Sequence, residues 1–211
     1  MAQILKFFDE RHLYELDGEQ IPSVSEISRF ASREVYGEIS QFALDNAADR
    51  GSKVHKACQL IDLTGECEVT EDIAPYVQNY LQFLKDYRPE WEAVEKAMAS
   101  TTHKFAGTLD RVGRLNTGKL AIVDLKSSSV VQKILAQIQL NGYKINWEEN
   151  FPVLPIDALY ILHLTKEPTT PKKKGYKLIE FPIDDTLFMS CLNLHRAFEK
   201  KPRKKKEQNN E

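Results

Sequence analysis

Asp110, Asp124 and Lys126 are the residues whose types and spacing point most directly to a reaction. Asp110 sits in KFAGTLDRVGRL (104–115) and the other two in KLAIVDLK (119–126), with Asn116-Thr117-Gly118 between them as a turn. Residues equidistant from a hairpin turn face each other across its strands, and the two aspartates each lie seven residues from Thr117. Lys126 is two residues beyond Asp124, so it points to the same face. The neighbours Ala121, Ile122, Val123 and Leu125 make this a buried strand, where a charge is costly unless paired or bound to a metal. Two adjacent carboxylates repel, and one alone would take up a proton; a divalent cation removes the conflict. Oxygen ligands with open positions favour magnesium or manganese. Such an ion can sit on a phosphate, activate a water and stabilise a leaving oxygen. Lys126 could orient that water and neutralise charge in the transition state. The plainer alternative is an Asp–Lys ion pair at a strand end, with Asp110 serving a turn.

The elements that must position these residues can be read from periodicity and punctuation. Ile4–Phe8 and Leu13–Leu16 read as strand pieces, with Asp17-Gly18 as a hairpin turn. Ser23 or Ser25 can cap a helix running to about Phe30. A helix is expected over 38–64, with a weak point at Gly51 and an end at Gly65, and an amphipathic one over 73–87. Strands follow at 91–100, 104–115 and 119–126, then a helix at 130–149, strands at Ile156–Thr165 and Tyr176–Phe181, and a last helix at 184–199. In the 130–149 helix, Gln132, Ala136, Gln139 and Tyr143 form one stripe; Ile134, Ile138 and Ile145 are the better core candidates. Gly107, three residues before Asp110, allows a close approach or a bulge. The expected fold is a mixed α/β (α+β) arrangement in one domain over 1–199, with a basic tail at 200–211.

GTLDRVG, then VDLKSS, then a helix with QLNGY resembles the RecB-like, phage exonuclease branch of the PD-(D/E)XK nuclease superfamily. YELDGEQIPSVSEIS is similar to a segment near the start of phage members, and ADRGSKVHKA to their helix motif with a histidine. The matching blocks run in family order from Tyr14 to Tyr143. The resemblance implies a restriction-endonuclease-like core: a central mixed sheet flanked by helices. It implies that Asp110 and Asp124 bind Mg2+ or Mn2+, that Lys126 is the catalytic lysine, and that the Leu125 carbonyl and His55 complete the metal shell. Gln139 and Tyr143 match the pair beside the catalytic centre, and Glu95 matches loosely an acid of some members. The implied reaction is hydrolysis of DNA phosphodiester bonds to 5′-phosphates, in the favoured form by an exonuclease on linear or single-stranded DNA. A phage or prophage recombination or replication setting would supply a single-strand annealing or replication protein as partner.

Each of these residues has a structural alternative. Tyr143 can be amphipathic packing, and Ser127 and Ser128 can donate to a phosphate or satisfy a strand end. Arg50 can pair with a phosphate or with a helical carboxylate. The aromatics Tyr76, Tyr80, Phe83 and Tyr87 suit a helix core better than base stacking. Lys172–Lys174 is expected on a hairpin loop, touching DNA phosphates or only solvent.

Composition narrows the class. The 211 residues are 42% hydrophobic and 28% charged, globular values. The net charge of −2 excludes binding of nucleic acid by bulk charge. Residues 200–211 hold six basic and two acidic residues, so the remainder is more acidic than the whole. Three scattered cysteines (Cys58, Cys67, Cys191) supply neither a disulfide framework nor a four-cysteine iron–sulfur cluster. With no apolar run of membrane length and no signal peptide, a cytoplasmic protein is expected. The alternatives are an endonuclease or CRISPR-adaptation-like relative, a non-catalytic DNA-binding recombination accessory, and an interaction protein with a chance motif.

Overall fold

The computed structural model describes residues 4–8, 13–36 and 41–199; the basic tail at 200–211 and the expected helix start at 38–40 lie outside the described residues. Three short strands, β1 (Leu5–Phe8), β2 (Leu13–Leu16) and β3 (Glu19–Ile21), form an antiparallel sheet in chain order. Asp17 (φ 53°) and Gly18 (φ 87°) both adopt the left-handed conformation that matches strand twist in a two-residue hairpin. The turn is legible in the sequence; the third strand, three residues long, is not.

Helix α1 (Val24–Tyr36) opens with a reciprocal cap. The Glu26 N–H donates to Ser23 Oγ (3.0 Å) and the Ser23 N–H to Glu26 Oε2 (2.8 Å). Ser23, not Ser25, is therefore the cap, and the helix continues past Phe30. Helix α2 (Gln41–Thr64) runs through Gly51 without a break, contrary to the weak point expected there, and α3 (Ala74–Tyr87) follows.

The main sheet comprises β4 (Glu90–Ser100), β5 (Phe105–Arg114), β6 (Leu120–Lys126), β7 (Ala158–Leu164) and β8 (Tyr176–Phe181), in that spatial order. All neighbours are antiparallel except β6 and β7. Parallel neighbours cannot be joined by a tight turn, and helix α4 (Lys133–Asn150) makes the crossover. Helix α5 (Asp185–Glu199) closes the described chain.

β6 is apolar on both sides because both its faces are covered. Leu120 and Ile122 pack in a core with Val24 and Ile27 of α1, Leu140 and Trp147 of α4, and Phe188 of α5. Ala121, Val123 and Leu125 pack in a second core with Val54 and Cys58 of α2 and Val77, Tyr80 and Phe83 of α3. The fold is thus a mixed α+β arrangement, a central mixed sheet flanked by helices.

One expectation about the core fails. Ile138 is buried and Ile145 partly so, but Ile134 is 57% exposed. The middle of α4 is buried nearly all round, from Ala136 to Trp147, so position along the helix decides burial more than the stripe does. Ile134 lies in the first turn, ahead of that stretch.

Candidate functional site

Three adjacent strands bring three carboxylates together. In the β5–β6 ladder Arg111 faces Val123 and Val112 faces Ile122, so the same register continued by one residue sets Asp110 beside Asp124. On the other side, Val94 faces Arg111 and Lys96 faces Leu109; between these two pairs lie Glu95 and Asp110. Glu95 holds a positive φ of 47°, a conformation that non-glycine residues adopt rarely and that is concentrated at functional sites. Asp110 accepts a hydrogen bond from the Leu125 N–H (2.7 Å), which locks β5 to β6 at this level.

His55, from α2, leans into the group. Its Nε2 lies 3.0 Å from the Leu125 carbonyl, which can only accept, so this nitrogen carries the proton. Its Nδ1 is 3.4 Å from Asp110 and 3.8 Å from Glu95. Ligand atoms of His55, Glu95 and Asp110 all lie within 4.8 Å of one another. Burial disfavours the charged ring, but Asp110, Glu95 and Asp124 outweigh it against the opposing Lys126, and the imidazole stays protonated above its ordinary range.

Asp124 is wholly buried. Its Oδ2 forms a 2.6 Å ion pair with Lys126, while Oδ1 has no hydrogen-bond partner among the described residues. Burial, partly offset by Lys126 and reinforced by Asp110, pushes the Asp124 carboxyl up to about 6. Lys126 Nζ also donates to Gln139 Oε1 (3.1 Å), and Gln139 Nε2 donates to the Tyr143 hydroxyl (2.9 Å). The i, i+4 pair on α4 therefore reaches the lysine as a chain. Gly107 is where that chain needs room: a Cβ there would lie 2.8 Å from the Tyr143 ring and 3.1 Å from Val24. The β4–β5 ladder is regular at this point, so Gly107 serves close approach and not a bulge.

Asp110, Asp124, Lys126, His55, Glu95, Gln139 and Tyr143 all line one cavity of about 590 Å³. The other expected residues are placed differently. Arg50 donates to the Ser127 carbonyl (3.4 Å) and lies over the Tyr76 ring; the neighbouring Asp49 pairs with Lys53. The Ser128 hydroxyl donates to the Val130 carbonyl (2.9 Å), and Ser127 is buried. These three hold the segment leaving β6 and do not line the main cavity. In the 165–175 loop, Lys174 pairs with Asp86 (2.6 Å). Tyr76, Tyr80 and Phe83 are buried, as expected of a helix core.

No protein-family model matches the chain, and no curated protein matches its sequence. Among solved structures it is similar to an alkaline exonuclease, LHK-Exo, from Laribacter hongkongensis, at 13% identity and a TM-score of 0.46 over 84% of each chain. LHK-Exo in complex with dAMP is similar at 12% identity and a TM-score of 0.38, covering 85% of this chain and 86% of that one.

Several contributors are not visible in the sequence. Arg111 is wholly buried behind the acids; its Nε donates to Asp62 (2.6 Å) and to the Tyr80 hydroxyl (2.9 Å), and its guanidinium lies 3.9 Å from Glu95. Asp62 also accepts from Tyr80 and from the Trp91 indole. His163, which faces Lys126 across β6–β7, bonds the Ser128 carbonyl (2.7 Å). The one available signal was helical spacing: Asp62 lies seven residues after His55, on the same face of α2.

Proposed function

We propose that this chain is a metal-dependent nuclease with a PD-(D/E)XK core that hydrolyses phosphodiester bonds of linear or single-stranded DNA. The carrying observation is the convergence of Glu95, Asp110 and Asp124 from adjacent strands on one cavity, with His55 and Lys126. Buried Asp124 Oδ1 and Glu95 Oε1 lack hydrogen-bond partners among the described residues. A carboxylate oxygen left without a hydrogen bond at that depth is costly, and a cation offsets the cost. The donor set, three carboxylates with one imidazole and the Leu125 carbonyl, fits Mg2+ or Mn2+. His55 Nε2 donates to the Leu125 carbonyl. Their hydrogen bond must open if both are to serve as ligands.

When bound, the metal lowers the pKa of a water and shares the charge of the phosphate oxygens. The chain's own residues do the rest. Lys126, fixed by Asp124 and Gln139, donates a hydrogen bond to the attacking water or to a phosphate oxygen and offsets developing negative charge. The water oxygen bonds to phosphorus and gives up a proton to solvent, the bond from phosphorus to the 3′ oxygen breaks, and that oxygen takes up a proton from solvent. The products are a 5′-phosphate and a 3′-hydroxyl. Tyr143, behind Gln139, holds the amide that accepts from Lys126, so the ammonium is fixed between Asp124 and Gln139. The reading favours an exonuclease of a phage-type recombination or replication module in the cytoplasm, where a single-strand annealing or replication protein would be its partner.

The test is product analysis. With Mn2+, a single-stranded oligonucleotide should yield fragments whose 5′ ends lose phosphate to a phosphatase, and with EDTA it should stay intact. Cleavage that persists in EDTA, or fragments bearing 3′-phosphates, would contradict the proposal.

A further inference from the structure

The proposed active-site cavity has an aromatic wall that catalysis does not use. Phe7, on β1, lines it together with the acids. The ring is half-buried and stacks on its cross-strand partner Tyr14, with centroids 4.7 Å apart and planes 23° from parallel. Tyr14 is 2% exposed, and its hydroxyl hydrogen-bonds Thr108 Oγ1 (2.9 Å). Thr108 precedes Asp110 by two residues on β5 and pairs with Ala97, which follows Glu95 by two on β4. Thr108 and Ala97 both line the cavity. The site therefore has two levels. Glu95 and Asp110 form one, and the small Ala97 and Thr108, with Phe7, form the next, about 7 Å along the strands. That is the reach from a backbone phosphate to the base of its own nucleotide. Ser52, His55, Lys56 and Gln59 of α2 line the same cavity and add polar groups and a cation. An aromatic plate and polar groups in one cavity match a nucleotide, whose base is flat and apolar and whose backbone is anionic.

We infer that Phe7 is a stacking platform for an unpaired nucleobase next to the scissile phosphate, backed by Tyr14 and keyed to the catalytic strands through Thr108. This rests on the nuclease reading and refines its substrate to single-stranded DNA or frayed ends, without preference among bases. A base within a duplex has both faces covered by its neighbours and must leave the stack to reach the ring.

The test couples the ring to the base. Binding is read in EDTA from quenching of 2-aminopurine placed at successive positions of a single strand, and cleavage is read with Mn2+. Wild type should quench the fluorophore at one position and bind a strand abasic there about tenfold more weakly. Phe7→Leu should bind the normal strand about tenfold more weakly and be indifferent to the abasic site. Phe7→Trp should restore both behaviours. A protein that has only lost folding would not show this coupling, and thermal melting checks it separately. Equal binding and cleavage of normal and abasic strands by wild type would overturn the platform and leave the nuclease reading standing. Position-specific quenching without cleavage would support the platform and overturn the nuclease. Equal quenching by blunt duplex would overturn the requirement for an unpaired base.

Discussion

Asp124 carries the tension of the site. It is an ionisable group with no exposure, one oxygen on Lys126 and the other without a hydrogen bond among the described residues. Its carboxyl is raised to about 6, above the roughly 4 of an unfolded chain. The unfolded state therefore binds fewer protons between these values. This group's contribution to stability is present below about pH 4 and is lost as pH rises through about 6, on the order of 2 kcal/mol. The stability difference between wild type and Asp124→Asn, measured in EDTA by urea titration at pH 4.5 and 7.5, should shift against wild type at the higher pH. Metal binding must displace the same proton, and one from His55, whose pKa is also raised. The rise in melting temperature caused by Mn2+ should be small at pH 5 and grow through pH 6 to 7.5; a constant rise would contradict ligation by these residues. The Asp110/Asp124/Lys126 set was legible because hairpin register depends on counting from a turn, and Gln139 and Tyr143 because helical spacing does. Arg111 and Phe7 were not, since their roles depend on how α2 and the β1–β3 sheet dock, which no local pattern encodes.

At the scale of elements, two arrangements hold the site. The first is the close approach of α4 to β5 at Gly107. Gly107→Ala should push the Tyr143 ring aside, loosen Gln139 from Lys126 and cost about 1–3 kcal/mol. Cleavage should fall tenfold or more while the fold survives; steady-state kinetics with a melting curve checks both. The second is the buried Asp62–Arg111 pair, which with Tyr80 and Trp91 ties α2, α3, β4 and β5 together behind Glu95. Arg111→Met would leave Asp62 charged and buried, and should destabilise by about 3–5 kcal/mol. Asp62→Leu combined with Arg111→Met should recover much of that in urea titrations. Element boundaries read from sequence fall within a few residues of those observed because turn and cap residues mark them, as Ser23 and Asp17-Gly18 do. The exceptions are α1, which runs on to Tyr36 where an end near Phe30 was expected, and β3, too short for alternation to register. Ile134 misled because stripe patterns say which side of a helix is apolar, not how far along it the neighbours extend.

For the whole molecule, the charge distribution bears on substrate handling. The cavity is lined by Glu95, Asp110 and Asp124 against His55, Lys56 and Lys126, so a bound divalent ion tips its charge toward phosphate. Binding should therefore tighten on adding a divalent ion and weaken steeply with salt. Among the described residues no helix is long and apolar enough to cross a membrane. The central claim is that Asp110, Asp124 and Lys126 form the centre of a metal-dependent nuclease acting on DNA ends. Its most direct test is digestion of end-labelled linear single- and double-stranded DNA beside closed circular DNA, in Mg2+, Mn2+ or EDTA, with Asp124→Ala and Lys126→Ala alongside. The account predicts metal-dependent loss of linear strands, intact circles, and activity at least a hundredfold lower in both variants. Cutting of circles would contradict action at ends, and undiminished cleavage by either variant would contradict the site.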